Sequence, residues 1–513
     1  MSNDHYSAGE KSPESTKDDT EKGVSEQSVH EVPLGDGESS ELFGQLSLWQ
    51  KLATYGVELR GVQPVPEEER TDTRYVNLAT WLGSSMLCLL PLTTGITGTL
   101  DYGMSLRDSF LVIFFFQFLT AIPPCYMVTM SPRTGMRQMI QARYSFGYYL
   151  NIVPIILNMA SIMGFTMIST VVGGQCLVAI SNNGLSVNAG IVIIGLITML
   201  MTITGYKIMH TILRYAWIPT LIAIIICVGA GGKHLKQQAS TVPTDAATVI
   251  TFASLIAGYN LPFGATLGDY AVYMPPNAPR TRLFLYAWLG VSIPSVVLMT
   301  LGAAIGATVP VIDEWNAAYQ LNSIGGVMAA MLHPIGGFGK FVTLILALSV
   351  IANTGPSIYS VSLNFQILIP GLHRVPRIVH VFTSTGILIG VAIGAAKQFE
   401  TSLLAFLGVI SYWSAGFVSI QLTEWLVFRR RNPETYDASI WNDKKLLPSG
   451  IPAIIALLIP FAIVIPSMDQ TWYIGPIAKT TGDLGFEFAL VLTPFIYYPL
   501  RKLEISRYRN GRL

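Results

Sequence analysis

The chain has 513 residues, is 51% hydrophobic and only 12% charged, and carries a formal net charge of +1. That composition excludes a water-soluble globule, and without a basic excess nothing points to nucleic acid as a partner. Four cysteines, Cys88, Cys125, Cys176 and Cys227, all lie in apolar stretches. They show neither metal-ligand spacing nor a disulfide framework, and read as small buried hydrophobes.

In chain order, residues 1–50 hold eleven acids against three lysines and are rich in Ser, Gly and Glu. Such a segment cannot bury enough apolar surface to fold, so it is expected to be a disordered, acidic cytoplasmic tail. It has no apolar core of the signal-peptide kind. Residues 51–74 form a pre-helix segment. Apolar runs then recur near 75–100, 109–130, 148–180, 187–204, 212–231, 248–273, 283–309, 339–368, 379–396, 402–427, 449–466 and 485–500. Each is long enough to cross a bilayer, so the expected class is an all-α integral membrane protein of twelve transmembrane helices, with lipid as its surroundings. The third and eighth are long enough to tilt or to extend past the membrane. Residues 501–513 form a basic tail, with Arg507, Arg509 and Arg512 suited to anionic lipid.

One set of connections carries Arg133, Arg137, Arg143, Lys207, Arg214, Arg280, Arg282, Arg374, Arg377, Arg429 to Arg431, Lys444, Lys445, Arg501 and Lys502; the other carries only Arg107, Lys233, Lys236, Lys340, Lys397 and Lys479. The excess of Lys and Arg marks the cytoplasmic side, which puts both termini inside, most simply at the plasma membrane.

Spans 1 and 6 are interrupted by small or helix-breaking residues. Span 1 carries Trp81-Leu82-Gly83-Ser84-Ser85, and span 6 carries Gly258-Tyr259-Asn260-Leu261-Pro262-Phe263-Gly264. Irregular backbone is tolerated at membrane depth only where it lines an enclosed cavity. Broken spans at matching places divide the chain into two five-helix units, 75–231 and 248–427, with helices 11 and 12 added at 449–500. Five helices per unit force opposite orientations, the 5+5 inverted-repeat plan of alternating-access transporters.

Span 8 contains Asn353, Pro356 and Ser357 at i, i+3 and i+4, hence on one face, and Pro356 deprives the Ala352 carbonyl of its helical donor. Span 3 places Phe165 and Ser169 on one face, a ring with a polar group one turn away. Phe263 follows Pro262 at the span-6 break, and Ser84 and Ser85 occupy the span-1 break. Asn158 is an intramembrane amide suited either to helix–helix contact or to lining a pathway. Asp269 is the acid well inside span 6; it is a candidate for coupling, or a partner of loop arginines. Glu424, just before Arg429 to Arg431, invites the second reading. No Walker loop is present to support ATP-driven transport.

Four separated motifs occur in order: Gly135-Met136-Arg137-Gln138-Met139-Ile140 with Ala142-Arg143-Tyr144; Gly268-Asp269-Tyr270-Ala271-Val272-Tyr273-Met274-Pro275; Ile351-Ala352-Asn353 with Pro356 and Tyr359; and Trp472-Tyr473-Ile474-Gly475-Pro476-Ile477. With them the chain resembles the fungal purine-cytosine permease branch of the nucleobase-cation-symport-1 family, from about residue 50 onward. The resemblance implies a leucine-transporter-like fold and proton-coupled uptake of cytosine, purines or related heterocycles. It also implies a base held between aromatic rings of spans 3 and 6. Members that carry cytosine and purines typically have Trp there, where this chain has Phe165 and Phe263. They have Asn where this chain has Ser169, and Asn-x-x-Pro-Asn where it has Asn353, Pro356 and Ser357. A hydroxyl cannot present a paired donor and acceptor in one plane as an amide does.

The expected function is therefore import of a small planar nitrogen heterocycle, by alternating access and without covalent chemistry or a cofactor beyond the proton gradient. Transport of a vitamin or nucleoside-like compound is the alternative on the same fold, favoured by the smaller rings. A non-transporting nutrient receptor is the alternative of another class. The oligomeric state is left open.

Overall fold

The computed structural model describes residues 61–508 apart from residues 183, 242, 370, 373 and 374. The expected acidic tail and the end of the basic tail lie outside the described residues. The rest is almost wholly helical, with one two-stranded hairpin in which Asp469–Gln470 pairs antiparallel with Tyr473–Ile474.

The principal helices are α1 (Val76–Met86), α2 (Leu89–Leu100), α3 (Leu106–Thr120), α4 (Ile152–Ile180), α5 (Val187–Ile203), α6 (Gly205–Gly231), α7 (Ala246–Asn260) and α8 (Arg280–Thr308). They continue as α9 (Asp313–Leu332), α10 (Gly336–Ser349), α11 (Ile351–Leu368), α12 (Arg377–Ala395), α13 (Phe399–Thr423), α14 (Ile451–Leu458), α15 (Phe461–Ser467) and α16 (Gly485–Tyr508). Eight helical stretches among the described residues are long and apolar enough to cross a bilayer, and the bent α1–α2 pair makes a ninth. The α5 helix and the divided α14–α15 stretch are apolar but shorter. Large apolar side chains face outward on several helices, with Phe115, Ile225 and Phe495 at 61%, 60% and 74% exposure. Water would not tolerate such a belt, and hydrocarbon does. The chain is an integral membrane protein.

Local chemistry explains where the helices start and stop. The Ser105 hydroxyl caps α3 by accepting from the Asp108 N–H at 3.0 Å, and Asp245 caps α7 by accepting from the Thr248 N–H at 2.9 Å. The 29-residue α4 is about 43 Å long, which exceeds a hydrocarbon core of about 30 Å. Helices α2 and α8 approach so closely that a Cβ on Gly95 would overlap the Met299 carbonyl, and one on Gly302 the Leu92 carbonyl. Small residues at such a crossing let backbones touch where no hydrophobic force drives association.

The first break differs from expectation. Trp81 to Ser85 are helical, and the chain turns by 55° at Leu87 and Cys88. Cys88 is extended, with φ −146° and ψ −177°. The cause is Pro91, whose ring would clash with the carbonyl of Leu87 were the helix continuous. In span 6, α7 runs through Asn260 and gives way to 3-10 turns over Leu261–Ala265 and Leu267–Tyr270 rather than to a second α-helix. In span 8, Pro356 sits inside α11, and the interruption falls at Val350, between α10 and α11.

Candidate functional site

The two irregular segments border a small cavity of about 30 Å³, room for a few waters at most, so a ligand would enter only as the lining parts. It is lined by Leu90, Ile162, Phe165, Pro262, Phe263, Thr266, Tyr270, Asn353 and Ser357. Four of these are residues singled out from the sequence: Phe165, Phe263, Asn353 and Ser357.

The rings of Phe165 and Phe263 are parallel to within 4°, with centroids 6.2 Å apart. A planar guest in contact with both faces needs the planes about 7 Å apart, so the rings must part to admit one. Tyr259 packs edge-on against both, at 5.9 Å from Phe165 and 6.2 Å from Phe263, and Phe406 packs edge-on against Phe165 at 5.3 Å. The phenyl pair is thus held from two sides by further rings. Gly164 allows the Phe406 approach, since a Cβ there would overlap that ring.

The polar groups divide into engaged and available ones. The Asn353 Nδ2 donates to the Ser85 carbonyl at 3.2 Å and to its hydroxyl at 3.3 Å, while Oδ1 accepts from the Ser169 hydroxyl at 3.4 Å. Asn353 therefore joins the break of span 1 to spans 3 and 8; its amide N–H groups are engaged at Ser85, and Oδ1 retains one lone pair. The Ser357 hydroxyl donates to the Asn353 carbonyl at 2.8 Å, which leaves its oxygen free to accept. Pro356 is buried one turn after Asn353, as the i, i+3 spacing requires, but lies behind the lining. The hydroxyls of Thr266 and Tyr270 complete the lining. Thr266 donates to the Asn158 Oδ1 at 3.3 Å, and Asn158 Nδ2 donates to the Ala265 carbonyl at 3.4 Å. Asn158 thus fastens span 3 to the irregular part of span 6. Ser84 lies apart from the cavity, with its hydroxyl donating to the Leu213 carbonyl on α6.

Asp269 sits beyond Tyr270 and is buried. Its carboxylate accepts from the Gln138 N–H at 3.2 Å and the Ser360 hydroxyl at 3.4 Å; Ser360 also pairs with the Tyr270 hydroxyl at 3.5 Å. Arg137 reaches the Asp269 carbonyl at 3.5 Å and the Tyr359 hydroxyl at 3.1 Å. The loop at 135–143, the end of span 6 and span 8 are therefore tied together at one end of the cavity, and Tyr270 links that knot to the lining. A larger groove of about 610 Å³ lies elsewhere. The Glu314–His333 pair on it, 3.2 Å apart, is largely exposed.

Leu90, Ile162, Thr266 and Tyr270 were not anticipated. Three had a readable signal: Ile162 is three residues before Phe165, Thr266 three after Phe263, and Tyr270 stands in the motif that drew attention to Asp269. No metal-ligating cluster occurs among the described residues.

Comparison with known proteins places this geometry in context. Residues 64–475 match the family described as permeases for cytosine/purines, uracil, thiamine and allantoin. A purine-cytosine permease of Emericella nidulans is 34% identical over 465 residues, covering 89% of this chain and 91% of its own. A purine-cytosine permease of Saccharomyces cerevisiae is 32% identical over 482 residues, covering 91% and 90%. Among solved structures, Mhp1, a nucleobase-cation-symport-1 family transporter in a closed conformation with bromovinylhydantoin bound, aligns with a TM-score of 0.66 at 16% identity. That alignment covers 87% of this chain and 95% of Mhp1, and it shows a shared fold.

Proposed function

The chain belongs to the family of permeases for cytosine/purines, uracil, thiamine and allantoin, and on that premise we propose that it imports a small planar nitrogen heterocycle, a purine, cytosine or a related base. The observation that carries this reading is the parallel phenyl pair, Phe165 and Phe263, flanking a cavity with hydroxyls at its edge. Stacking on two aromatic faces suits any flat heteroaromatic ring, and hydroxyls set its orientation. Ser85 and Ser169 act through Asn353 by holding its amide, and Pro356 frees the Ala352 carbonyl behind the lining. Ser84, bonded to α6, serves the packing of α1 in this reading rather than the ligand.

Transport proceeds by alternating access in a leucine-transporter-like fold of twelve spans. Two inverted five-helix units occupy 75–231 and 248–427, and two further helices occupy 449–500. Both termini are cytoplasmic and the membrane is the plasma membrane. The proton gradient drives uptake without a cofactor. Asp269 carries the coupling, because its carboxylate lies two hydrogen bonds from the cavity through Ser360 and Tyr270. Asn158 holds the irregular part of span 6 while it moves.

A second reading, a vitamin or nucleoside-like substrate, is favoured by one observation. The Asn353 amide N–H groups are taken by Ser85, so the donors left to a ligand are hydroxyls, which suit a less rigid pattern of donors and acceptors. Uptake of radiolabelled adenine, cytosine, thiamine and uridine in cells stripped of their own carriers distinguishes the readings. Uptake of adenine or cytosine that thiamine and uridine fail to inhibit supports the first; uptake of thiamine or uridine alone supports the second. Absence of uptake for all four overturns both.

A further inference from the structure

Gln117 of α3 is not among the residues lining the cavity, yet it makes a reciprocal side-chain contact in the interior. Its Nε2 donates to the Asn260 Oδ1 at 2.9 Å, and the Asn260 Nδ2 donates back to the Gln117 Oε1 at 3.0 Å. The second Asn260 N–H is taken by the Thr120 hydroxyl at 2.8 Å, one turn along α3. Both amides are essentially inaccessible, at 0% and 1% exposure. A reciprocal amide pair fixes the two side chains in one relative geometry.

Its position gives it consequence. Asn260 is the last residue of α7, and Phe263 follows three residues later in a 3-10 segment without the ladder of an α-helix. Pro262 supplies no N–H, and at Phe263 the backbone is held by the Thr266 N–H donating to its carbonyl at 3.0 Å, so the ring takes its plane from what packs around it. Contacts along span 6 and across to other spans hold the segment. Tyr259 packs against both phenyl rings and donates to the Met86 sulfur at 3.2 Å. Asn158 holds the Ala265 carbonyl on the far side of Phe263. Asn260 holds the near side, and it does so through Gln117.

We propose that Gln117 is a positioning residue for the heterocycle site: through the amide pair with Asn260 it fixes the start of the irregular span-6 segment and hence the plane of Phe263 against Phe165. The proposal rests on the phenyl pair being the ligand site. Thr120 is the auxiliary partner, taking the hydrogen that the amide ring does not use.

The test exchanges the two side chains. Gln117→Asn alone leaves the pair one methylene too short, and Asn260→Gln alone leaves it one too long. Together they keep the total length and restore the ring of hydrogen bonds. Uptake of radiolabelled adenine and cytosine is measured per transporter at the cell surface. Gln117→Asn is expected to raise the apparent KM about tenfold, the equivalent of one lost buried hydrogen bond, with Vmax per molecule retained. The double variant is expected to return KM to near the wild-type value.

A parallel measurement does not depend on the substrate. In a Phe263→Cys background, the rate of labelling by a membrane-permeant thiol reagent reports how firmly the segment is held. Labelling with Phe263 intact gives the background from the four native cysteines, all buried. Gln117→Asn should speed labelling of the introduced thiol several-fold, and the exchange should slow it again. Unchanged KM and labelling in Gln117→Asn, or a double variant no better than the worse single one, overturns the positioning role. Should neither adenine nor cytosine enter wild-type cells, the substrate assignment fails, and the labelling rates alone decide for or against the pin.

Discussion

Ser85 and Asn353 meet where the first span turns and the eighth passes it, joined by two hydrogen bonds of 3.2 and 3.3 Å from one amide nitrogen. The contact ties the two halves of the chain together beside the cavity. Asn353→Ala leaves the Ser85 carbonyl and the Ser169 hydroxyl without this partner, at a cost of about 1–3 kcal/mol. The expected outcome is a lower melting temperature in detergent together with loss of uptake. Ser85→Ala keeps the carbonyl acceptor and should cost about 1 kcal/mol or less. Equal melting temperatures for Asn353→Ala and the wild type would remove the contact from any account of the site.

The phenyl pair predicts a graded response. Phe263→Ala removes one stacking face, worth about 1–3 kcal/mol per stacked base, so affinity should fall roughly tenfold to a hundredfold. Phe263→Leu keeps much of the bulk without the π-face and should fall between. Phe263→Trp should retain transport of a base, because it enlarges the stacking surface. Surface abundance checked by a fluorescent tag should stay constant across the series, which separates loss of binding from loss of protein.

Coupling makes a different prediction. Asp269→Asn can still accept from the Gln138 N–H but no longer takes up and releases a proton. Uptake driven by an imposed pH gradient should disappear, while exchange of labelled for unlabelled substrate at equal pH on both sides should persist. Loss of both together would assign Asp269 to the packing of the loop at 135–143 instead.

Far from the cavity, Glu424 lies between two arginines. Its carboxylate accepts from the Arg429 Nε at 3.0 Å, from Arg501 at 2.9 and 3.1 Å, and from the Tyr497 hydroxyl at 2.8 Å. Glu424→Gln takes the counter-charge from the buried Arg429 guanidinium and leaves Arg501 with Glu504 alone, at 2.6 Å; breaking such a buried pair costs about 3–5 kcal/mol. The expected result is loss of folded protein at the membrane. Glu314→Gln, which removes the exposed partner of His333, should change stability by less than about 1 kcal/mol. Thermal melting of the two variants side by side checks the contrast.

Much of this arrangement was legible from residue spacing, and its limits have physical causes. Helical period brought Asn353 and Ser357 to one face, and the resemblance to purine-cytosine permeases paired Phe165 with Phe263 across 98 residues (263 − 165) of chain. The span-1 break was misplaced because Gly83, Ser84 and Ser85 look like breakers, whereas a proline acts on the carbonyl four residues earlier and Pro91 puts the turn at Leu87. Small residues in the membrane serve close packing as readily as interruption, and Ser84 does so against α6. Long-range partnerships carried no local signal. Nothing near Glu424 announces Arg501, 77 residues away, and nothing near Gln117 announces Asn260, 143 residues away. Such pairs are set by which helices the fold makes neighbours.

The central claim is that a flat heterocycle lies between Phe165 and Phe263, and an experimental structure of the protein with its transported compound tests it most directly. The account predicts density for the ring between the two phenyl planes, with their centroids moved from 6.2 Å to about 7 Å and the ligand edge within hydrogen-bond reach of Ser357 or Thr266. Density at another place, with the phenyl rings still 6.2 Å apart, would contradict it.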